Sequence, residues 1–155
     1  MNDGGGADGG AVARAVLRGS GRLLARLGWS FLPEFPLADG SRADMLALAE
    51  DGRVLIVEIK SSAADYRADR KWMGYRDWCD LFAFAVPADF PVGLLPEGAG
   101  LLVADAYDAA LRRDFEPCGT LAAARRKALT ARFARLAARR LHRLADPDGT
   151  PSTFS

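Results

Sequence analysis

The chain has few of the side chains that usually hold zinc or redox groups. Its 155 residues include two cysteines, Cys79 and Cys118, and one histidine, His142. A lone histidine argues against a histidine-based metal site and against a Ser-His catalytic triad. Two cysteines without zinc-type neighbours fit a reducing compartment, so we expect the protein in the cytoplasm.

Long apolar runs and a strong net charge are also missing. No run approaches the roughly 18 apolar residues of a membrane span, and the Gly-rich residues 1–10 lack the apolar core of a signal peptide. The net charge is +1, so only a local patch could indicate a charged partner. With 50% hydrophobic residues, the length suits one domain. We expect that domain over 11–145, between a disordered N-terminus (1–10) and a polar tail (146–155), with no membrane partner.

Hydrophobic spacing and turn residues predict an α/β fold. Helix and strand patterns alternate as helix, three strands, helix and strand, then more strand and a long helix. The segments are 11–27, 29–37, 42–49, 54–60, 63–79, 81–86, 101–104, 107–111 and 120–144. Pro33 and Pro36 indicate that the first strand lies at a sheet edge. This order favours a mixed sheet covered by helices on both faces.

The loop between the second and third strands decides which side chains face each other. A two-residue turn would direct Asp44 away from Glu58. A three-residue loop over 50–52 instead pairs Ala49 with Arg53 and brings Asp44 opposite Glu58. This loop needs its last residue in the left-handed region, which Gly52 adopts without strain. The loop chemistry therefore favours the register in which the two carboxylates face each other.

Opposed carboxylates on one sheet face repel each other, so a partly buried pair needs a cation or a shared proton. Oxygen ligands with room for water are typical of a Mg²⁺ or Mn²⁺ site. Lys60 follows Glu58 on the same face, about 7 Å along the strand. It could activate a water or stabilise charge on a phosphoryl group. The alternative is a solvated strand end in which Glu58 pairs with Lys60 or Arg42.

The pattern of Asp44 followed by Glu58-Ile59-Lys60, on adjacent strands after a first helix, resembles the PD-(D/E)XK nuclease superfamily. The wider sequence is similar to the MmcB-type bacterial DNA repair proteins, in the segments FPLADGSRADMLAL, VLIVEIKSS, DYRADRKWMGYRDWCDLFAFAVP, GLLVADAY and RRKALTARFARLAARR. The resemblance implies a restriction-endonuclease-like αβββαβ core and divalent-metal nuclease activity on DNA. It also implies metal-binding or catalytic roles for Asp44, Glu58 and Lys60.

The chain departs from the superfamily pattern at two places. Ala43 stands where the superfamily's name has proline, and the first helix has no acidic residue over 11–27. Glu34 is the nearest substitute for the missing helix carboxylate. It would complete the metal shell directly or through water, or it would be a surface residue between two prolines.

Two residues of the following helix are candidates for the same site. Lys71 and Tyr75 are four residues apart and so share one helix face. In the resembling superfamily this helix often sends a polar side chain to the active site, where it would orient the phosphate or the catalytic lysine. The alternative is that Tyr75 packs on the sheet with its tryptophan neighbours and that Lys71 is solvated.

The last helix is strongly basic. No acid occurs between Glu116 and Asp146, but seven arginines and Lys127 do. At 100° per residue, five of the arginines fall within an arc of roughly 80°: Arg125, Arg132, Arg135, Arg139 and Arg143. Such an arginine stripe suits a phosphate backbone and provides affinity without sequence reading. It could also pair with acids elsewhere in the chain or, less favourably, contact an anionic membrane.

The leading hypothesis is a Mg²⁺- or Mn²⁺-dependent DNA endonuclease that acts in repair, with other repair proteins as further partners. Asp44, Glu58 and the Ile59 carbonyl would hold the metal, and Lys60 would assist attack by water. One alternative is a non-cleaving DNA-binding module on a nuclease fold that acts with a partner. Another is a protein-interaction domain whose cationic helix binds an acidic partner.

Overall fold

The computed structural model describes residues 5–149, which form two compact units that divide between Leu121 and Ala122. The first contains α1 Gly5–Arg26, β1 Ser30–Pro36, β2 Arg42–Leu48, β3 Val54–Ile59, α2 Ala63–Ala68, α3 Trp72–Tyr75, β4 Leu81–Val86, β5 Gly100–Ala104, β6 Ala109–Arg113 and β7 Glu116–Pro117. The second contains helix α4, Ala123–Ala145. The prediction of one domain over 11–145 stays a prediction. Across residues 5–149, no helix is long and apolar enough to cross a membrane.

The seven strands form one mixed sheet, as predicted. The order is β1-β2-β3-β4-β5-β6, and β7 pairs with the start of β4. Neighbours are antiparallel from β1 to β3, parallel from β3 to β5, and antiparallel again between β5 and β6. The proline-containing strand β1 lies at the edge, which confirms the prediction for that strand.

Helix α1 covers one face of the sheet. Its apolar side packs on small and branched residues of the central strands, and the buried cluster comprises Val16, Leu23, Leu24, Met45, Ala47, Leu55, Val57, Ala83, Ala85 and Leu102. Gly19 allows the close approach, because a Cβ there would collide with the carbonyl oxygens of Asp105 and Asp108. This packing fixes α1 beside the ends of β2 and β3, where the candidate site lies.

An aromatic cluster covers the opposite face. Trp72 packs edge-on against Phe84 with ring centroids 5.0 Å apart, and Tyr66 stacks on Trp72 at 6.1 Å. Phe84 is also the register partner of Glu58 on the neighbouring strand. Because neighbouring register partners share a sheet face, Glu58 projects into the edge of an apolar layer.

Two predictions about helices were wrong. α1 begins at Gly5, so residues 5–10 are helical and not disordered, while residues 1–4 lie outside the described part of the chain. The helix predicted over 63–79 is interrupted after Ala68, where Asp69 adopts an extended conformation. The Asp69 carboxylate accepts the Lys71 backbone N–H at 2.9 Å, a local bond that competes with helical pairing.

Candidate active site

The hairpin that carries the site has the predicted register. Leu46 pairs with Ile56 and Leu48 with Val54, and the Ala49 N–H donates to the Arg53 carbonyl at 3.0 Å. Gly52 has a φ of +90°, the left-handed conformation that the three-residue loop requires. The loop chemistry therefore sets the register and brings Asp44 opposite Glu58.

Side chains replace backbone pairing at the end of these two strands. The backbone pairs stop at Met45 and Val57. Beyond them, the Ile59 N–H donates to the Asp44 carboxylate at 2.8 Å, and the Asp44 N–H donates to the Glu58 carboxylate at 3.4 Å. Each carboxylate thus accepts an N–H of the opposite strand in place of a backbone carbonyl, and these bonds hold the two acids next to each other.

The surroundings of the Glu58 side chain favour its protonated form. It is 3% exposed. Burial, together with the neighbouring Asp44 carboxylate, raises the pKa of Glu58 to about 10, and Lys60 opposes that rise only in part. Opposed acids need a proton or a cation between them. The oxygen atoms of the two side chains also suit a hard divalent cation.

Lys60 is a buried cation with two acidic neighbours. It is 2% exposed, and its Nζ lies 2.9 Å from Asp69 Oδ2 and 4.0 Å from Glu58 Oε2. Partial burial alone would raise the pKa of Asp69, but hydrogen bonds from the Lys71 amide and from Lys60 outweigh it and lower the pKa. Asp69 therefore remains ionised and holds the Lys60 ammonium in position.

These groups lie in a cleft of about 670 Å³. Its walls come from α1, from the connection between β1 and β2, and from the segment between α2 and α3. Its polar lining includes Arg14, Glu34, Arg42, Asp69, Lys71 and Tyr75. The cleft thus brings together all the residues predicted for the catalytic centre, and it adds Asp69 and two arginines.

The two candidates from the broken helix differ in their environments. Tyr75 is buried, and its hydroxyl donates to the Arg42 carbonyl at 2.8 Å, while burial raises its pKa. This bond ties α3 to the start of β2. Lys71 is exposed at the start of α3. Both residues line the cleft, but the predicted orienting roles of Lys71 and Tyr75 stay predictions.

Glu34 lies on the edge strand, and the register pairs on either side of it place it opposite Asp44. It is exposed and has a φ of +48°, a left-handed conformation that costs a non-glycine residue about 1 kcal/mol. Across the described residues, no three His, Cys, Asp or Glu side chains are grouped closely enough to hold a metal ion. The role of Glu34 as a metal ligand stays a prediction.

A family model described as DNA repair protein MmcB-like matches residues 4–148 of the chain. The chain belongs to the MmcB-like family. None of the curated proteins matches it. A solved structure of SPO1766, a protein of unknown function from Silicibacter pomeroyi, is similar with 45% identity and a TM-score of 0.87, over 93% of this chain and 97% of that one. The family resemblance is confirmed, and the family's description indicates a role in DNA repair.

Helix α4 of this MmcB-like chain carries the predicted arginine stripe. The helix is continuous from Ala123 to Ala145, and the five stripe arginines are exposed. Arg126 and Arg140, which the helical geometry assigns to the apolar side, are half-buried. The stripe is therefore a real feature of α4, and its binding of DNA stays a prediction.

The main cleft residue that sequence reasoning missed in the MmcB-like chain is Asp69, which bonds Lys60. It lies in a segment predicted as one continuous helix, and the sequence did not distinguish it from the other acidic residues there. The signal that distinguishes it is structural, because Asp69 ends α2 in an extended conformation and only then reaches Lys60. No spacing rule connects residues 60 and 69 across such a break.

Proposed function

We propose that this protein is a metal-dependent deoxyribonuclease that hydrolyses a phosphodiester bond during DNA repair. The observation that carries the proposal is the opposition of Asp44 and Glu58 at the base of a cleft, with the Lys60 ammonium 4.0 Å from Glu58. The resemblance to the PD-(D/E)XK superfamily, which uses these residue types in this order, supports it. The two cysteines have no zinc-type neighbours and fit a reducing compartment, which supports a cytoplasmic location.

The donor set fits Mg²⁺ or Mn²⁺. The ligands would be the Asp44 and Glu58 carboxylates and the Ile59 carbonyl, which lies on the same side of β3 as the N–H bonded to Asp44. Mg²⁺ commonly uses one or two carboxylates and keeps several waters, so a site without three clustered acids remains suitable. The bound ion would supply Lewis-acid polarisation of the phosphoryl oxygens and a more acidic water.

The protein groups around that ion have separate tasks. Lys60 would stabilise the negative charge that develops on the phosphoryl oxygens, in a site where burial strengthens electrostatic interactions. Asp69 would keep the Lys60 ammonium oriented. Glu34 would complete the metal shell, directly or through water. The remaining candidates would hold the phosphate backbone: Lys71, Tyr75, Arg125, Arg132, Arg135, Arg139 and Arg143.

The test is cleavage of labelled single-stranded, duplex, flap and junction DNA in Mg²⁺, Mn²⁺ or EDTA. Wild type would be compared with Glu58→Ala and Lys60→Ala, and with Glu50→Ala as an exposed hairpin control. We expect metal-dependent cleavage that falls at least about 100-fold in both site variants and is unchanged in the control. Cleavage that persists in EDTA, or equally in all variants, would refute the proposal.

A second candidate is a non-cleaving DNA-binding module that acts with a partner protein. One feature favours it: burial and the neighbouring Asp44 carboxylate raise the pKa of Glu58 to about 10, so a metal ion would have to displace a proton from this carboxyl group. In that case no DNA in the panel would be cut, while salt-sensitive DNA binding would be the same in wild type, Glu58→Ala and Lys60→Ala.

A further inference from the structure

Three exposed cations line the cleft, and they come from three different elements. Arg14 belongs to α1, Arg42 begins β2, and Lys71 precedes α3; all three are exposed and line the cleft. Among the residues that the structure describes, Arg14 and Arg42 form no ion pair. These three residues, the rim cations, are available to an anion from outside.

Charge is arranged by depth in this cleft. The acids Asp44 and Glu58 lie at the base, and the rim cations lie at the opening. A polyanion would be attracted by the exposed rim cations and by the buried Lys60 ammonium, beside which Asp44 and Glu58 offer oxygen ligands to a divalent cation. Because the cations come from three elements that line one cleft, they can contact the phosphates of a backbone that enters it.

The depth of the reacting groups restricts the shape of that backbone. Glu58 and Lys60 are 3% and 2% exposed, and a volume of about 670 Å³ is the size of a small-ligand pocket. Duplex DNA is stiff, with a persistence length of about 150 base pairs, so sharp local bending of an intact duplex into such a space is costly. A single strand bends freely, and proteins bind single strands in positively charged grooves that track the backbone.

We infer that the cleft takes one strand of DNA, held by Arg14, Arg42 and Lys71, and that the substrate is a single-stranded segment such as a flap or gap and not an intact duplex. This inference rests on the proposed nuclease function and specifies its substrate class. It assigns a DNA contact to Arg14 and Arg42 that is separate from the arginine stripe of α4.

The experiment measures binding without cleavage. Fluorescence anisotropy would compare a labelled 12-nucleotide strand with the 12-base-pair duplex of the same sequence, in EDTA, at several salt concentrations. The variants are Arg14→Ala, Arg42→Ala and Lys71→Ala. The control is Arg112→Ala, which removes an exposed cation of β6 that does not line the cleft.

We expect the single strand to bind about tenfold more tightly than the duplex. Each rim variant should weaken single-strand binding by about three- to tenfold and reduce the salt dependence by about one phosphate contact. Arg112→Ala should leave both unchanged. Equal or tighter binding of the duplex, rim variants that behave like the control, or no binding of either DNA would each overturn the inference.

The result separates this inference from the nuclease proposal. Single-strand binding through the rim with no cleavage in Mg²⁺ or Mn²⁺ would overturn the nuclease and leave the strand preference standing. Metal-dependent cleavage that prefers intact duplex would support the nuclease and overturn the strand preference.

Discussion

The two ends of the β2–β3 hairpin carry similar pairs of an acidic and a basic residue in opposite surroundings. At the loop end, Asp51 and Arg53 form an ion pair at 2.9 Å with both side chains more than half exposed. At the other end, Lys60 and Glu58 are almost fully buried. Exposed pairs contribute little to stability, whereas buried charges cost free energy unless each has a partner. Buried ionisable groups in a cleft are typical of a functional site.

The largest expected effect at the buried end comes from Lys60→Ala. It removes a buried side chain and leaves Asp69 without its cation, so we expect the free energy of unfolding to fall by about 2–3 kcal/mol. That range allows for the partial exposure of Asp69. Urea denaturation in EDTA measures it. Arg53→Ala is the matched change at the loop end, and a similar loss there would contradict the comparison.

Glu58→Gln should change how stability depends on pH. The pKa of Glu58 is 4.5 in its ordinary state and about 10 in the folded protein. The folded state therefore binds the proton more tightly. This group's contribution is complete below pH 4.5 and is lost as pH rises toward 10.

The Glu58→Gln variant keeps the hydrogen bonds but has no proton to lose. Between pH 4.5 and pH 6 it should therefore gain stability relative to wild type, on the order of 2 kcal/mol. Thermal unfolding across this pH range, in EDTA, measures the gain. Parallel pH profiles for the two proteins would show that Glu58 has an ordinary pKa.

Asp69→Asn tests the buried end of the hairpin through a residue that acts on Lys60. We expect cleavage to slow about tenfold in kcat with little change in KM, because DNA binding is kept while the ammonium loses its orientation. Asp69→Glu should restore part of the rate. Asp65→Asn is the control, since Asp65 also lines the cleft but bonds the Ser61 N–H instead of Lys60. Equal losses in Asp69→Asn and Asp65→Asn would argue against a specific positioning role.

The smallest loss of stability is expected at the loop end, from a substitution that strains the backbone and leaves the charges unchanged. Gly52→Ala places a side chain at a φ of +90°, which should cost about 1 kcal/mol. Nothing lies within 4 Å of the added Cβ, so the cost comes from conformation alone. Denaturation should detect it, while cleavage should remain at the wild-type rate. A change in the rate would show that the loop affects the register at the site.

Sequence reasoning succeeded where local chemistry decides the structure. Gly52 set the loop type and hence the opposition of Asp44 and Glu58, and the prolines of β1 indicated the edge. It failed where the local sequence pattern is weak or points to another structure. Glycine-rich residues 5–10 have poor helix propensity, yet they extend α1. The two-residue strand β7 has too short a pattern to detect, and it exists because β4 is available to pair with it.

The crossed hydrogen bonds of Asp44 and Glu58 have a further consequence for how the hairpin responds to a ligand. The fixed part of the hairpin ends at Met45 and Val57, and beyond it the strands are joined through carboxylates. A ligand that binds these carboxylate oxygens would replace the N–H groups that now donate to them, and every backbone pair of the hairpin would stay intact. Binding should therefore change the amide hydrogen-exchange rate of Ile59 and leave that of Val57 unaltered. The hairpin thus has a part fixed by backbone pairs and an end whose hydrogen bonds a ligand can replace.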